Sequence, residues 1–138
     1  MQAWVYGVLG VLWLTGMVWL GLRAAHAEPG ELDSWSLRIH GAAAMGSLLI
    51  FGILLPTHSQ PAWNRARNRV SGGLVIGTAT LLVASGYGLY YFGDEALRRA
   101  TSIVHSIVGG LLPAAIVAHV VIGRRSRRMR PPAGRDAS

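Results

Sequence analysis

The 138-residue chain has no cysteine and no lysine, and only six acidic residues. Without cysteine there is no disulfide, no thiolate-ligated metal, no iron–sulfur cluster and no covalently attached c-type haem. Any cofactor must be held by histidine, methionine or oxygen ligands. The absence of lysine leaves 13 arginines as the basic side chains, which points to a GC-rich bacterial genome rather than to chemistry. Acidic residues are missing from every long apolar run, so a proton or cation pathway would lack its usual carboxylates. A soluble domain is missing too, because little sequence remains outside those runs.

What is present is apolar residue in four blocks: Ala3 to Leu22, Leu37 to Leu55, Val70 to Phe92 and Thr101 to Gly123. Each approaches or exceeds the roughly 20 residues that cross a bilayer as a helix. The expected fold is all-α, an integral membrane four-helix bundle running up-down-up-down over residues 1–130, with 131–138 as a flexible cytoplasmic tail. Ala25-His26-Ala27 imitates a signal-peptidase site. The apolar run before it exceeds the ~7–15 residues of a signal core and Met1-Gln2-Ala3 has no basic residue, so a retained first helix is expected.

The net charge of +7 does not indicate nucleic acid, because the arginines lie in short loops and a tail beside apolar spans. Arg65, Arg67, Arg69, Arg124, Arg125, Arg127, Arg128, Arg130 and Arg135 share one face with both termini. The other face holds Arg23, Arg38, Arg98 and Arg99 among five acidic residues. The positive-inside rule then places both termini in the cytoplasm of a bacterial inner membrane, with Tyr87, Tyr90, Tyr91 and Phe92 as an aromatic belt at the outer face.

Ionisable groups within spans default to function, and here they are histidines. Spans two and four run in the same direction, so His40 and His105 near their outer starts fall at one depth. His58 and His119 fall near the inner ends. The 14 residues from His105 to His119 turn through about 1400°, close to four turns, and the 18 from His40 to His58 through about 1800°, five turns. Each helix therefore shows two imidazoles on one side. The axial intervals differ, about 27 Å in span two against about 21 Å in span four, and Pro56 offers a way to draw His58 back by disrupting the preceding turn. Two neutral imidazoles on facing helices suit haem iron held from both sides. Gly41, Ala43, Ala44, Gly46 and Gly109-Gly110 are small enough for a macrocycle to lie against the backbone. Gly73, Gly77, Thr80, Ala84 and Gly88 form a small-residue stripe that suits helix packing or haem contact. Arg38 and Arg98 are candidates for haem propionates, and His26 reads as an interfacial residue of the outer loop.

From about Trp35 to Arg128 the chain resembles the four-helix respiratory cytochromes b, including gamma subunits of membrane formate dehydrogenases. The resemblance is carried by LRIHGAAAMG around His40, by SGYGLYYFG, and by SIVHSIVGGLLPAAIVAHVVIGRR with its His-x13-His spacing. It implies an electron-transfer subunit, not a stand-alone enzyme, passing electrons between a quinone pool and a partner redox protein through haem b. It implies His40 with His105 at the outer haem and His119 at an inner one. In the formate dehydrogenase type the remaining inner ligand comes from the first helix, which here has no histidine; His58 is the substitute, and two haems are expected. The rival readings are a histidine-dependent metal-binding or transport protein and a membrane anchor without a cofactor.

Overall fold

A computed structural model of the protein describes residues 2–25, 30–65 and 68–128. The expected tail at 131–138 and His26 of the outer loop lie outside the described residues. The chain is an all-α membrane four-helix bundle, with four helices long and apolar enough to cross a bilayer. Helix α1 runs Gln2–Ala24, α2 Glu31–Leu54, α4 Arg69–Tyr91 and α5 Glu95–Arg128. Between α2 and α4 the chain makes one π-helical turn, Leu55–Ser59, and the short helix α3, Gln60–Asn64. These continue α2 into a single 34-residue span, Glu31–Asn64.

Helices α2 and α5 overrun their apolar blocks for an electrostatic reason. Glu31, Asp33 and Glu95 occupy first turns, where carboxylates meet the positive end of the helix dipole. The Asp94 carboxylate also accepts the Leu97 N–H at 2.7 Å, a side-chain cap for one of the orphan donors of α5. At the far end of α5 the run Arg124-Arg125 and then Arg128 meets the negative end of the dipole.

The bundle is two antiparallel hairpins, α1 on α2 and α4 on α5, joined where α1 also meets α5. Contacting residues add to a nearly constant number, as antiparallel helices require: Thr15 with His40 and Val8 with Gly46 in the first hairpin, Ser71 with His119 and Ser85 with His105 in the second. Continuing this register, α1 begins opposite residues 52–54 of α2.

Apolar side chains face outward along every span, as a hydrocarbon solvent allows, and no apolar residue among those described is fully buried. The most enclosed side chains are instead serines: Ser36 at 4 % exposure, Ser85 at 8 % and Ser71 at 9 %. Two of these three lie directly beneath histidines.

Candidate functional site

The two histidines of α5 each face one histidine of the α2 span. His40 and His105 have ring centroids 6.3 Å apart with planes at 74°. His58 and His119 repeat the arrangement at 6.3 Å and 89°. Both pairs bridge the two hairpins, and α5 sets them about 21 Å apart along its axis, from 14 residues at 1.5 Å each.

The unequal intervals in α2 and α5 are reconciled by the turn that carries His58. Pro56 has no N–H to give the carbonyl of Gly52 and its ring crowds that carbonyl. The chain responds with a wider turn rather than a break. Its register shows in the Gln60 N–H, which donates to Leu55 O five residues back. A π turn packs more residues into each rise, so the longer His40–His58 interval is shortened, and such turns are often found at functional sites.

Each of three imidazoles rests on a neighbouring helix. His40 Nδ1 donates to Leu12 O at 2.9 Å, with Thr15 Oγ1 at 3.3 Å. His105 Nδ1 lies 2.9 Å from Ser85 Oγ and His119 Nδ1 lies 3.1 Å from Ser71 Oγ. A glycine follows each of these hydroxyl residues. A Cβ added at Gly16 would sit 3.0 Å from His40 Cε1, at Gly86 3.5 Å from His105 Cε1, and at Gly72 3.6 Å from His119 Cε1. His58 is exposed, while the other three are half-buried.

The remaining candidates lie at the periphery. Arg38 is exposed with its guanidinium 5.3 Å from the Trp35 ring centroid. Arg98 is exposed in the first turns of α5, beside the Arg99–Glu95 ion pair at 3.1 Å. Gly109 faces α4, where a Cβ would meet Leu82 Cδ2 at 3.6 Å. Gly73 and Gly77 line an open groove of about 530 Å³ between α4 and α5 together with Leu74, Leu81, Val108 and Leu111. A Cβ at Gly77 would meet nothing within 4 Å. The close seam of this hairpin runs instead through Ser71-Gly72 and Ser85-Gly86.

Four residues were not singled out as histidine partners by the sequence: Thr15, Ser71, Ser85 and Leu12. A signal was present, since Ser71-Gly72 and Ser85-Gly86 recur at the 14-residue interval that separates His105 from His119. Helix α1 adds two indole N–H groups, of Trp13 and Trp19, that are buried without a partner. A donor in that state is costly in a membrane interior and is available to an acceptor brought by a bound group.

The centroid spacing of each pair is that of two imidazoles sharing one metal ion. A ring nitrogen lies about 1.15 Å from its centroid and an imidazole–metal bond is about 2.0–2.1 Å, so two imidazoles on opposite sides of one ion have centroids about 6.4 Å apart. Among the described residues no group of three or more His, Cys, Asp or Glu converges. Each pair therefore offers two ligands, fewer than the three or four of a protein-built zinc site. An ion held there must bring its own equatorial ligands. The chain matches no protein-family model, no curated protein and no solved structure.

Proposed function

We propose that the chain is a membrane cytochrome b that binds two haems, one between His40 and His105 and one between His58 and His119. The observation that carries this reading is the repeated pair of imidazoles at 6.3 Å, each pair bridging the two hairpins. A macrocycle supplies the four equatorial nitrogens that the polypeptide does not, which favours haem over a bare copper or zinc ion. When bound, haem iron accepts and returns single electrons by alternating between ferric and ferrous states.

The residues supply everything else. Helices α2 and α5 hold the imidazoles at two depths, so a redox path is laid along the bundle. Lipid-facing Leu, Ile and Val exclude water from the ligands, and the low dielectric tunes the potentials. Trp13 and Trp19 have indole donors to offer, and Arg38 and Arg98 stand at the end of the bundle nearer His40 and His105, where propionates would need cations.

The arginine-rich end faces the cytoplasm of a bacterial inner membrane in this reading. Electrons then pass between a quinone pool and a partner redox protein. Quinone access suits the His58 end, where His58 and Asn64 are exposed. Asn68 and Ser71 are already engaged there, with Ser126 and His119.

The test is the reduced-minus-oxidised spectrum and pyridine haemochrome of the purified chain. Two low-spin b haems per chain are expected, with His40→Ala or His105→Ala removing one and His58→Ala or His119→Ala the other. Protein that carries a metal but no porphyrin, or neither, rejects the proposal.

A further inference from the structure

Three hydroxyl–glycine dipeptides sit under three histidines: Thr15-Gly16 under His40, Ser71-Gly72 under His119 and Ser85-Gly86 under His105. We propose that these dipeptides are seats that fix which ring nitrogen is free, and that Ser71 and Ser85 are positioning residues for the two redox sites. The part concerning redox sites rests on the haem reading above; the part concerning the rings stands on hydrogen-bond geometry alone.

A serine hydroxyl has one hydrogen. Ser85 donates it to Leu81 O at 2.7 Å, within its own helix, so toward His105 its oxygen can only accept. Ser71 Oγ lies 3.3 Å from Asn68 O and 3.1 Å from His119 Nδ1, and we assign it the same accepting role from its matching place under the ring. The Leu12 carbonyl has no hydrogen and accepts from His40. His40 and His105 therefore carry their proton on Nδ1 and present a bare Nε2, the reverse of the tautomer that a neutral histidine side chain favours in water, and the proposal extends the same state to His119. The hydrogen bond at one ring nitrogen sets the state of the other. At His40 the glycine is required, since a Cβ at Gly16 would sit 3.0 Å from Cε1; at Gly72 and Gly86 the rings pass at ordinary contact distance.

The seats are distributed unequally. At His40–His105 both Nδ1 protons have acceptors, and one acceptor is a main-chain carbonyl that no side-chain change removes. At His58–His119, among the described residues, only His119 is seated. His58 stands exposed on the π turn. Ser71→Ala leaves its pair with no seat, whereas Ser85→Ala leaves its pair with one.

The test uses the full chain, purified with its haem, as wild type, Ser71→Ala, Ser85→Ala and the hydroxyl-restoring Ser71→Thr and Ser85→Thr. A donated Nδ1–H makes the imidazole a stronger ligand for ferric iron. Loss of such an outer partner weakens a site by about 10–100-fold; expressed wholly in the ferric state, that raises the midpoint by about 60–120 mV at 59 mV per decade. Ser85→Ala is expected to raise one haem's potential and Ser71→Ala the other's, each reversed by threonine. Ser71→Ala is also expected to lower haem content toward one per chain while Ser85→Ala retains two. Unchanged potentials in both alanine variants, with two haems bound, overturn the seats and leave the haem reading standing. Equal haem loss in the two variants overturns the asymmetry. Should the wild type carry no haem, the parent reading fails and ¹⁵N NMR of the imidazoles decides the seats. An Nδ1–H form at His105 and His119 that Ser→Ala abolishes supports them, and an Nε2–H form in the wild type rejects them.

Discussion

At the scale of single residues, the tightest constraint beside a histidine lies at Gly16. A methyl there would be 3.0 Å from His40 Cε1, and the ring cannot yield easily because Leu12 O holds its Nδ1. Gly16→Ala is expected to displace the imidazole, costing about 1–3 kcal/mol as overpacking does, with loss of the haem signal of that site. Gly72→Ala, at an ordinary 3.6 Å from His119, should leave its site populated. Thermal unfolding in detergent and haem stoichiometry of the two variants measure the contrast; equal behaviour would show that His40 is not seated against Gly16. The histidines were legible from the sequence because imidazoles within apolar spans have no routine packing role. Their seats were not, because serine, threonine and glycine are also the common small residues of helix seams. Only the identity of the residue opposite distinguishes a seat from a seam.

At the scale of elements, two local departures from regular helix shape the arginine-rich end. The first is the π turn at Leu55–Ser59. Pro56→Ala restores an N–H and removes the ring clash, so the segment is expected to revert to α-helix, lengthening the His40–His58 interval and rotating His58 away from His119. Helix content by circular dichroism should stay constant while one of two haem signals is lost. Retention of both signals would mean that the turn does not position His58. The second departure is Asn68, which begins α4 in the left-handed region at φ 49° and accepts a hydrogen bond from Ser126 at 3.0 Å. A side chain without a local polar group meets a penalty of roughly 1–2 kcal/mol in that conformation. Asn68→Val should therefore lower stability by at least that amount, and Asn68→Gly by less, since glycine forfeits only the hydrogen bond. The proline marked a disturbance in advance, but periodicity at 100° per residue has no means of indicating whether the chain bends, breaks or widens there.

At the scale of the whole molecule, the charges sort by end. Arg65, Arg69, Arg124, Arg125 and Arg128 stand at one end, while Glu31, Asp33, Asp94 and Glu95 with four arginines stand at the other. A reporter enzyme active only outside the cytoplasm, fused after residue 128, is expected to be silent, and fused within 92–94 it should be active. The opposite pattern would reverse the orientation and place the His58 end outside. Replacing Arg124, Arg125, Arg127 and Arg128 with glutamine should weaken the preference while keeping the bundle, because charges at the end of a span set its topology rather than its packing.

The four spans, their alternating direction and the equal depth of His40 and His105 were determined by sequence alone. Apolar block length and helical pitch are one-dimensional quantities that a chain in lipid must obey. Which hairpin each imidazole leans on and how a surplus turn in the second span is absorbed were decided only in three dimensions. Those features depend on the register between helices, and register is set by where a small side chain on one helix admits a large ring from another.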